Sequence, residues 1–383
     1  MSGRVYLDHH ASAPLCPEAR DAMIAAMARG PGNASSLHRE GRRARDLLEG
    51  ARADLARSMG AAPRELVFTS GGTEAVQLAV LGLGEGSEVA RVLCDPGAHP
   101  CMRAACEALA RSRGVPFDWL PCAGGVVTLA EDLPLDRALV AISWVQHETG
   151  RVMGEIARWI PRATARGAKV TVDAVQALGK VPLDVGSLGA SAVAVSAHKI
   201  GGPQGVGALW VAAGERVVQR LTGGGQERGL RAGTENVIGV AGFGAAAREV
   251  PGRLAAMDRV ATLRDRVEAA LLAVDGVVPS VTDGARVATV AHVAVRGCDG
   301  AALVAGFDLE GVAVSSTSAC SSGRSEPSES LLRLFPEARW RASSALRVSL
   351  GPATTEGEVA RFAEVAPRVI ARLRAAHSSA KRT

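Results

Sequence analysis

Lysine is scarce in this sequence. Of the 44 basic residues among 383, only Lys169, Lys180, Lys199 and Lys381 are lysines, so any lysine set in an apolar run asks for a chemical reason. The seven cysteines, Cys16, Cys94, Cys101, Cys106, Cys122, Cys298 and Cys320, are an odd number with no CxxC pair. That argues against a disulfide framework and against a zinc site, and predicts reduced thiols. The N-terminus, "MSGRVYLDHHASAP", has no apolar run of the kind that targets or anchors a chain, and no later stretch approaches a membrane-spanning length free of charge. The expectation is a cytoplasmic protein with no membrane partner. The net charge of +5 comes mostly from arginines spread along the chain, with no basic cluster interleaved with aromatics, which argues against a nucleic-acid partner. A GxxxxGK loop is also missing, so a nucleoside triphosphate is not the expected ligand.

What is present is the rhythm of an α/β protein. The apolar runs "ELVFTS", "RVLCD", "ALVAISWV", "KVTVDA", "AVAVSA" and "VGALWV" read as strands, and stretches 40–59, 73–83, 99–113 and 155–166 carry apolar residues at helical spacing. Strands bounded by helices predict a mainly parallel sheet covered on both faces. After about residue 250 the pattern changes to a charged helix, the strand "VATVAHVAV", a helix, a short strand, the strand "LRVSL" and a C-terminal helix with Val359, Phe362, Ala366, Val369 and Leu373 on one face. This predicts a large domain over 17–250 and a smaller α+β domain formed by 1–16 and 251–383, packed together without a low-complexity linker.

In open α/β sheets ligands collect at the carboxyl ends of the strands. Three such ends carry polar groups. "FTSGGTEAV" ends a strand at Ser70-Gly71-Gly72-Thr73 and begins a helix, where glycines, a helix N-terminus and a hydroxyl make an anion cradle, though a glycine turn with a threonine cap fits as well. "VTVDAVQALG" places Asp173 at a strand end, as a helix cap or as a ligand partner. "VSAHKIGGPQGVGAL" places Ser196, His198 and Lys199 at another. A buried ammonium is costly unless its charge is removed or paired, and forming a Schiff base removes it. Pyridoxal phosphate needs this combination: an anion cradle for its phosphate, an acid for its ring nitrogen and a lysine for its aldehyde.

The chain resembles the NifS/IscS type of cysteine desulfurase, in the aminotransferase class V group of pyridoxal-phosphate enzymes. The matching segments are "YLDHHASAP", "GNASSLHREG", "VFTSGGTEA", the segment around His99, "HETG", "VDAVQALGKVPLDV", "SAHKIGGPQGVGALWV", "GGGQERGLRAGTEN", "SSTSACSSG" and "LRVSLG", in family order from residue 6 to 351. The resemblance implies a fold-type I transferase whose large domain holds a mainly parallel seven-stranded sheet. It implies that Lys199 carries the cofactor, Asp173 pairs with its ring nitrogen, Gln176 lies near its ring hydroxyl, and Gly72, Thr73, Ser196 and His198 hold its phosphate. His99 would stack on the ring and move protons; on residues alone it also reads as a helix-start histidine capping locally. Thr234 would reach the phosphate of a second subunit, which implies a homodimer. Arg347 would clamp the carboxylate of L-cysteine, with Asn33 assisting.

The thiol of Cys320 sits in "VSSTSACSSG", a stretch too polar for core that reads as a loop. The resemblance assigns it the nucleophile: as thiolate it takes the substrate sulfur as a persulfide, L-alanine is released, and the loop carries the sulfur to an acceptor or iron–sulfur scaffold protein. Three positions depart from the family pattern. His147 stands where asparagine is usual before the glutamate of "HETG", Ala197 stands for a glycine, and Thr317 stands where glycine is common. A neutral imidazole can donate one hydrogen bond, so His147 would still contact the ring hydroxyl while tying it to a titratable group. The competing readings are a selenocysteine lyase or aminotransferase of the same fold, for which a loop thiol has no use on L-cysteine, and a non-catalytic partner in an assembly complex.

Overall fold

The computed structural model describes residues 3–316 and 326–380. Its central sheet has seven strands: β1 (Leu66–Thr69), β2 (Arg91–Cys94), β3 (Phe117–Trp119), β4 (Ala138–Ser143), β5 (Lys169–Asp173), β6 (Ala192–Ser196) and β7 (Gly207–Val211). They lie in the order β1-β7-β6-β5-β4-β2-β3. Only β7 runs antiparallel to its neighbours β1 and β6. Six strands match the apolar runs of the sequence; the edge strand β3, with the half-exposed pattern "FDW", had no such run to announce it.

Side chains alternate across the sheet with period two. Val193 and Val195 of β6 join a core with α1 (Pro17–Ala28) and α2 (Arg39–Met59), whereas Ala192 and Ala194 face α3 (Gly72–Gln77) and α4 (Pro100–Arg113). With helices on both sides the central strands are buried throughout, which is why they read as continuous apolar runs. Helix α3 continues through a π turn at Leu78–Gly82 to Gly86, so the predicted stretch 73–83 is one interrupted helix. Helix α4 starts with Pro100 at its first position and ends at Gly114 in the left-handed conformation (φ +64°). Helix α5 (Ile156–Ala165) connects β4 to β5, and α6 (Val237–Arg248) packs on α1 and α2.

A second apolar cluster lies around β8 (Val277–Pro279), β9 (Val290–Val295) and β10 (Ala345–Ser349), covered by α7 (Met257–Leu272), α8 (Gly300–Leu309) and α10 (Glu356–Ala380). Val5 and Leu7 belong to this cluster, because Val5–Tyr6 pairs in parallel with Val312–Ala313. The short helix α9 (Glu329–Leu334) follows the undescribed 317–325 segment. Of the "VSSTSACSSG" stretch, Val314, Ser315 and Ser316 are buried rather than on the surface, since Ser315 exchanges both backbone hydrogen bonds with Arg347 of β10. Cys320 and Thr317 lie outside the described residues. Among the described residues no helix is long and apolar enough to cross a membrane.

Candidate active site

Because β1 and β6 are each antiparallel to β7, and β6, β5, β4 and β2 are mutually parallel, the carboxyl ends of β1, β2, β4, β5 and β6 share one edge of the sheet. From that edge emerge the Gly71-Gly72 turn, Asp173 and Ser196. One short helical turn, Ala197–Lys199, carries Lys199 past the end of β6. Its Nζ donates to the carbonyls of His10 (2.9 Å) and Ala11 (2.7 Å), so the N-terminal "DHHASAP" segment is drawn across the strand ends. Gln176 Nε2 donates to the same His10 carbonyl at 2.9 Å.

Lys199 opens into a cavity of about 460 Å³. His99, His147, Gln176 and Arg347 line it with His10 and Glu148. His99 caps α4: its Nδ1 accepts the backbone N–H of Cys101 at 3.2 Å, which leaves the proton of the neutral ring on Nε2. Burial, with the charge of His147 second, lowers His99 to about 3, so the ring is neutral above that pH. Its ring stands edge-on to His147, centroids 5.0 Å apart. His147 Nε2 in turn lies 3.6 Å from Glu148 Oε1. Burial pushes the Glu148 carboxyl up, but the nearby His147 ring and the hydrogen bond from Ser328 outweigh it and hold the group below its ordinary value. Arg347 is buried; it donates to the His147 carbonyl and to Asp8 Oδ1, both at 3.1 Å, and its Nε has no hydrogen-bond partner among the described residues.

The cradle has its own logic. A Cβ on Gly72 would meet Val175 Cγ2 at 2.9 Å and Ser196 Cβ at 3.3 Å, so glycine is what lets the start of α3 approach the ends of β5 and β6. A Cβ on Gly207 would meet the Gly71 carbonyl carbon at 2.5 Å. The Ser196 hydroxyl is buried there with no hydrogen-bond partner among the described residues, a donor open to a bound anion. His198, lowered to about 4 by burial and then by Lys199, sits 3.4 Å from the Ser12 hydroxyl. Thr73 is exposed on the first turn of α3. Asp173 is buried, accepts the Val175 N–H at 2.9 Å, and has its carboxyl pushed up by burial. It is thus both a local turn-former and an acid waiting for a cationic partner. An anionic, ring-bearing group with an electrophilic carbon fits this donor set.

Of the described residues named from the sequence, Lys199, His99, His147, Gln176 and Arg347 line the cavity, Gly72, Thr73, Asp173, Ser196 and His198 sit at the strand ends outside its lining, and two more lie apart from both within one chain. Asn33 is exposed and accepts the Ser35 N–H, and Thr234 is exposed on the 222–236 loop. Both flank a groove lined by Met27, Gly32, Val237 and exposed Ile238. The residues that sequence reasoning passed over are His10, Glu148, Lys180, Gly207 and Ser328. Lys180 alone carried a signal, as one of four lysines and one that follows an apolar helix-like turn.

A parallel sheet that gathers a lysine, a buried carboxylate and an anion cradle at one edge defines the fold-type I class of pyridoxal-phosphate enzymes. The chain belongs to the aminotransferase class-V family, whose model matches residues 5–362. An IscS-like cysteine desulfurase of Mycobacterium tuberculosis (strain ATCC 25618 / H37Rv) is 39% identical over 97% of both chains. Among solved structures, a NifS-like protein superposes with TM-score 0.87 at 27% identity, over 96% of this chain and 100% of that one. The structure of SspA in complex with cysteine superposes with TM-score 0.78 at 26% identity, over 92% of this chain and 100% of that one.

Proposed function

We propose that this chain is a pyridoxal-phosphate-dependent cysteine desulfurase that converts L-cysteine to L-alanine and transfers the sulfur to Cys320. The observation that carries this reading is the shared cavity: it is lined by Lys199, His99 and Arg347 and also by Ser315, Ser316, Glu326, Pro327 and Ser328, the residues on either side of the segment that bears Cys320. Cys320 is four residues beyond Ser316. At about 3.5 Å per extended residue, its Cα can lie no more than ~14 Å from that of Ser316, a residue of the cavity lining. Lys199, Asp173, Gly72, Thr73, Ser196 and His198 would hold the cofactor, with Gln176, His99 and His147 around its ring. Bound there, it supplies an electron sink for the α-carbon of the substrate.

The chain's own residues take the remaining roles. Arg347 binds the substrate carboxylate through the guanidinium edge whose Nε has no partner among the described residues. Lys199 as neutral amine takes the α-proton, a role His99 is ill placed for because its Nδ1 is committed to the Cys101 N–H; His99 instead donates from Nε2. The Cys320 thiolate attacks the substrate sulfur: an S–S bond forms, the C–S bond breaks, and its electron pair stays with carbon, which takes a proton on the way to alanine. The persulfide then passes to an acceptor protein for iron–sulfur assembly or thiolation. The groove beside Asn33 and Thr234, with Met27 and Ile238 exposed along it, suits the face of a homodimer that carries Thr234 to the other subunit's phosphate. We place the large unit at 17–250 and the small one at 1–16 with 251–383.

The test uses purified protein supplied with pyridoxal phosphate. Visible absorbance of the lysine-bound cofactor should appear in wild type and not in Lys199→Ala, and sulfide and alanine should form in equal amounts from L-cysteine with a reductant present. Cys320→Ala should lose sulfide release while keeping the absorbance; equal release by both proteins refutes the role of Cys320.

A further inference from the structure

Lys180 lies behind the cavity, hydrogen-bonded to a residue of its lining. It follows Gln176 by one helical turn, is 6% exposed, and its Nζ donates to Gln176 Oε1 at 2.7 Å. The charged groups that bear on it are Lys199, Arg253 and Arg347, all cationic, so it does not sit there as half of an ion pair with them. Burial, with those neighbours, pushes its amine well below the ordinary lysine range, and a neutral amine still donates. A carboxamide has one acceptor and two donors. In Gln176 the acceptor is taken by Lys180, one N–H goes to the His10 carbonyl at 2.9 Å, and the side chain lines the cavity with its second N–H uncommitted to either. Turning the amide over would set its oxygen against the His10 carbonyl, replacing that hydrogen bond by a repulsion, and would end the donation from Lys180 to Oε1. The His10 carbonyl is also the acceptor of Lys199. We infer that Lys180 is a positioning residue: by holding Gln176 Oε1 it fixes the carboxamide with its N–H groups toward the His10 carbonyl and the cavity, and so keeps the anchor of the Lys199 amine in place.

The inference rests on the cofactor reading above, and its test is a double-mutant cycle on binding rather than on turnover. Cofactor-free wild type, Lys180→Met, Gln176→Ala and the double variant are titrated with pyridoxal phosphate, and the pH midpoint of the bound cofactor's absorbance change is recorded for each. One lost hydrogen bond of about 1 kcal/mol predicts roughly fivefold weaker binding for Lys180→Met, with a displaced midpoint. In the Gln176→Ala background the same substitution should change neither quantity, because the group it acts through is gone. Lys180→Gln, which keeps an N–H donor, should fall nearer to wild type, and it carries the cycle if the Met variant does not fold. A Lys180→Met effect that persists undiminished beside Gln176→Ala, or wild-type affinity and midpoint in Lys180→Met, overturns the inference alone. A wild-type protein that binds no pyridoxal phosphate overturns the cofactor reading with it.

Discussion

Replacing Arg52 with methionine should cost this protein a large part of its stability, although Arg52 touches no substrate. Its guanidinium, 2% exposed on α2, donates to both oxygens of Glu227 at 2.7 Å and to the Leu66 carbonyl at 3.0 Å, and lies 4.6 Å from the centre of the Phe68 ring. Without it the Glu227 carboxylate, equally buried, keeps the Phe68 N–H at 2.8 Å and no cation. Breaking a buried pair from one side costs about 3–5 kcal/mol, because the remaining charge is stranded. Glu227 and Arg228 also hold positive φ (48° and 58°), a strain the ion pair helps to fix. At roughly 2–4 °C per kcal/mol for a domain of this size class, Arg52→Met should lower Tm by about 6–20 °C. Adding Glu227→Gln removes the stranded charge and should recover most of that loss, leaving the ~1–3 kcal/mol of an imperfectly paired polar group. Thermal unfolding of the three proteins, followed by circular dichroism, decides it. If the double variant is no more stable than Arg52→Met, stranded charge is not what the pair prevents. Because Thr234 lies on the loop that Glu227 pins, Arg52→Met should also weaken cofactor binding.

Gly207→Ala drives a methyl into the Gly71 backbone, an overpacking worth about 1–3 kcal/mol, and should weaken pyridoxal-phosphate affinity by tenfold or more; unchanged affinity in a titration would show that the Gly71-Gly72 turn is not the cradle. Burial lowers His9, His198 and His292 to about 4 and His99 to about 3, and takes His10 well below its ordinary value. Each of the five then binds a proton more readily unfolded than folded, so their contribution is complete above about pH 6.5 and is lost as pH falls toward 4. Asp95 and Asp173, pushed up by burial, oppose this but are fewer. Urea midpoints should therefore drop steeply between pH 6.5 and 4.5, and a flat profile would contradict the assignment. Ser328 donates to both oxygens of Glu148, at 2.8 and 2.9 Å, and caps α9 just beyond the Cys320 segment. Ser328→Ala should cost about 1 kcal/mol through the lost cap and slow sulfide release severalfold with cofactor absorbance unchanged; wild-type release would detach that root from the chemistry.

The parts of this protein that could be read from the chain are those where one local rule acts alone. Central strands buried on both faces must be apolar throughout, so β1, β2 and β4 to β7 stood out, whereas the half-exposed edge strand β3 left no such trace. Lys199 at the end of an apolar run and the Gly71-Gly72 turn were legible because an amine at a strand end and a close backbone approach each admit few residue types. His99 shows the limit: its cap is a local hydrogen bond that "HPC" announces, but its place opposite His147 and beside Lys199 depends on three strand ends meeting. Glu148 and Ser328 are 180 residues apart and His10 and Lys199 are 189, so no spacing rule could have joined them. The sequence by itself determined the layered α/β architecture and singled out Lys199 as the lysine at a strand end, since both follow from periodicity and the placement of charge beside apolar runs. Only the tertiary structure decided which tautomer His99 holds, that Ser315 and Ser316 are buried roots, and that Lys180 serves Gln176, because hydrogen-bond partners are chosen by the packing of distant segments and not by the order of residues along the chain.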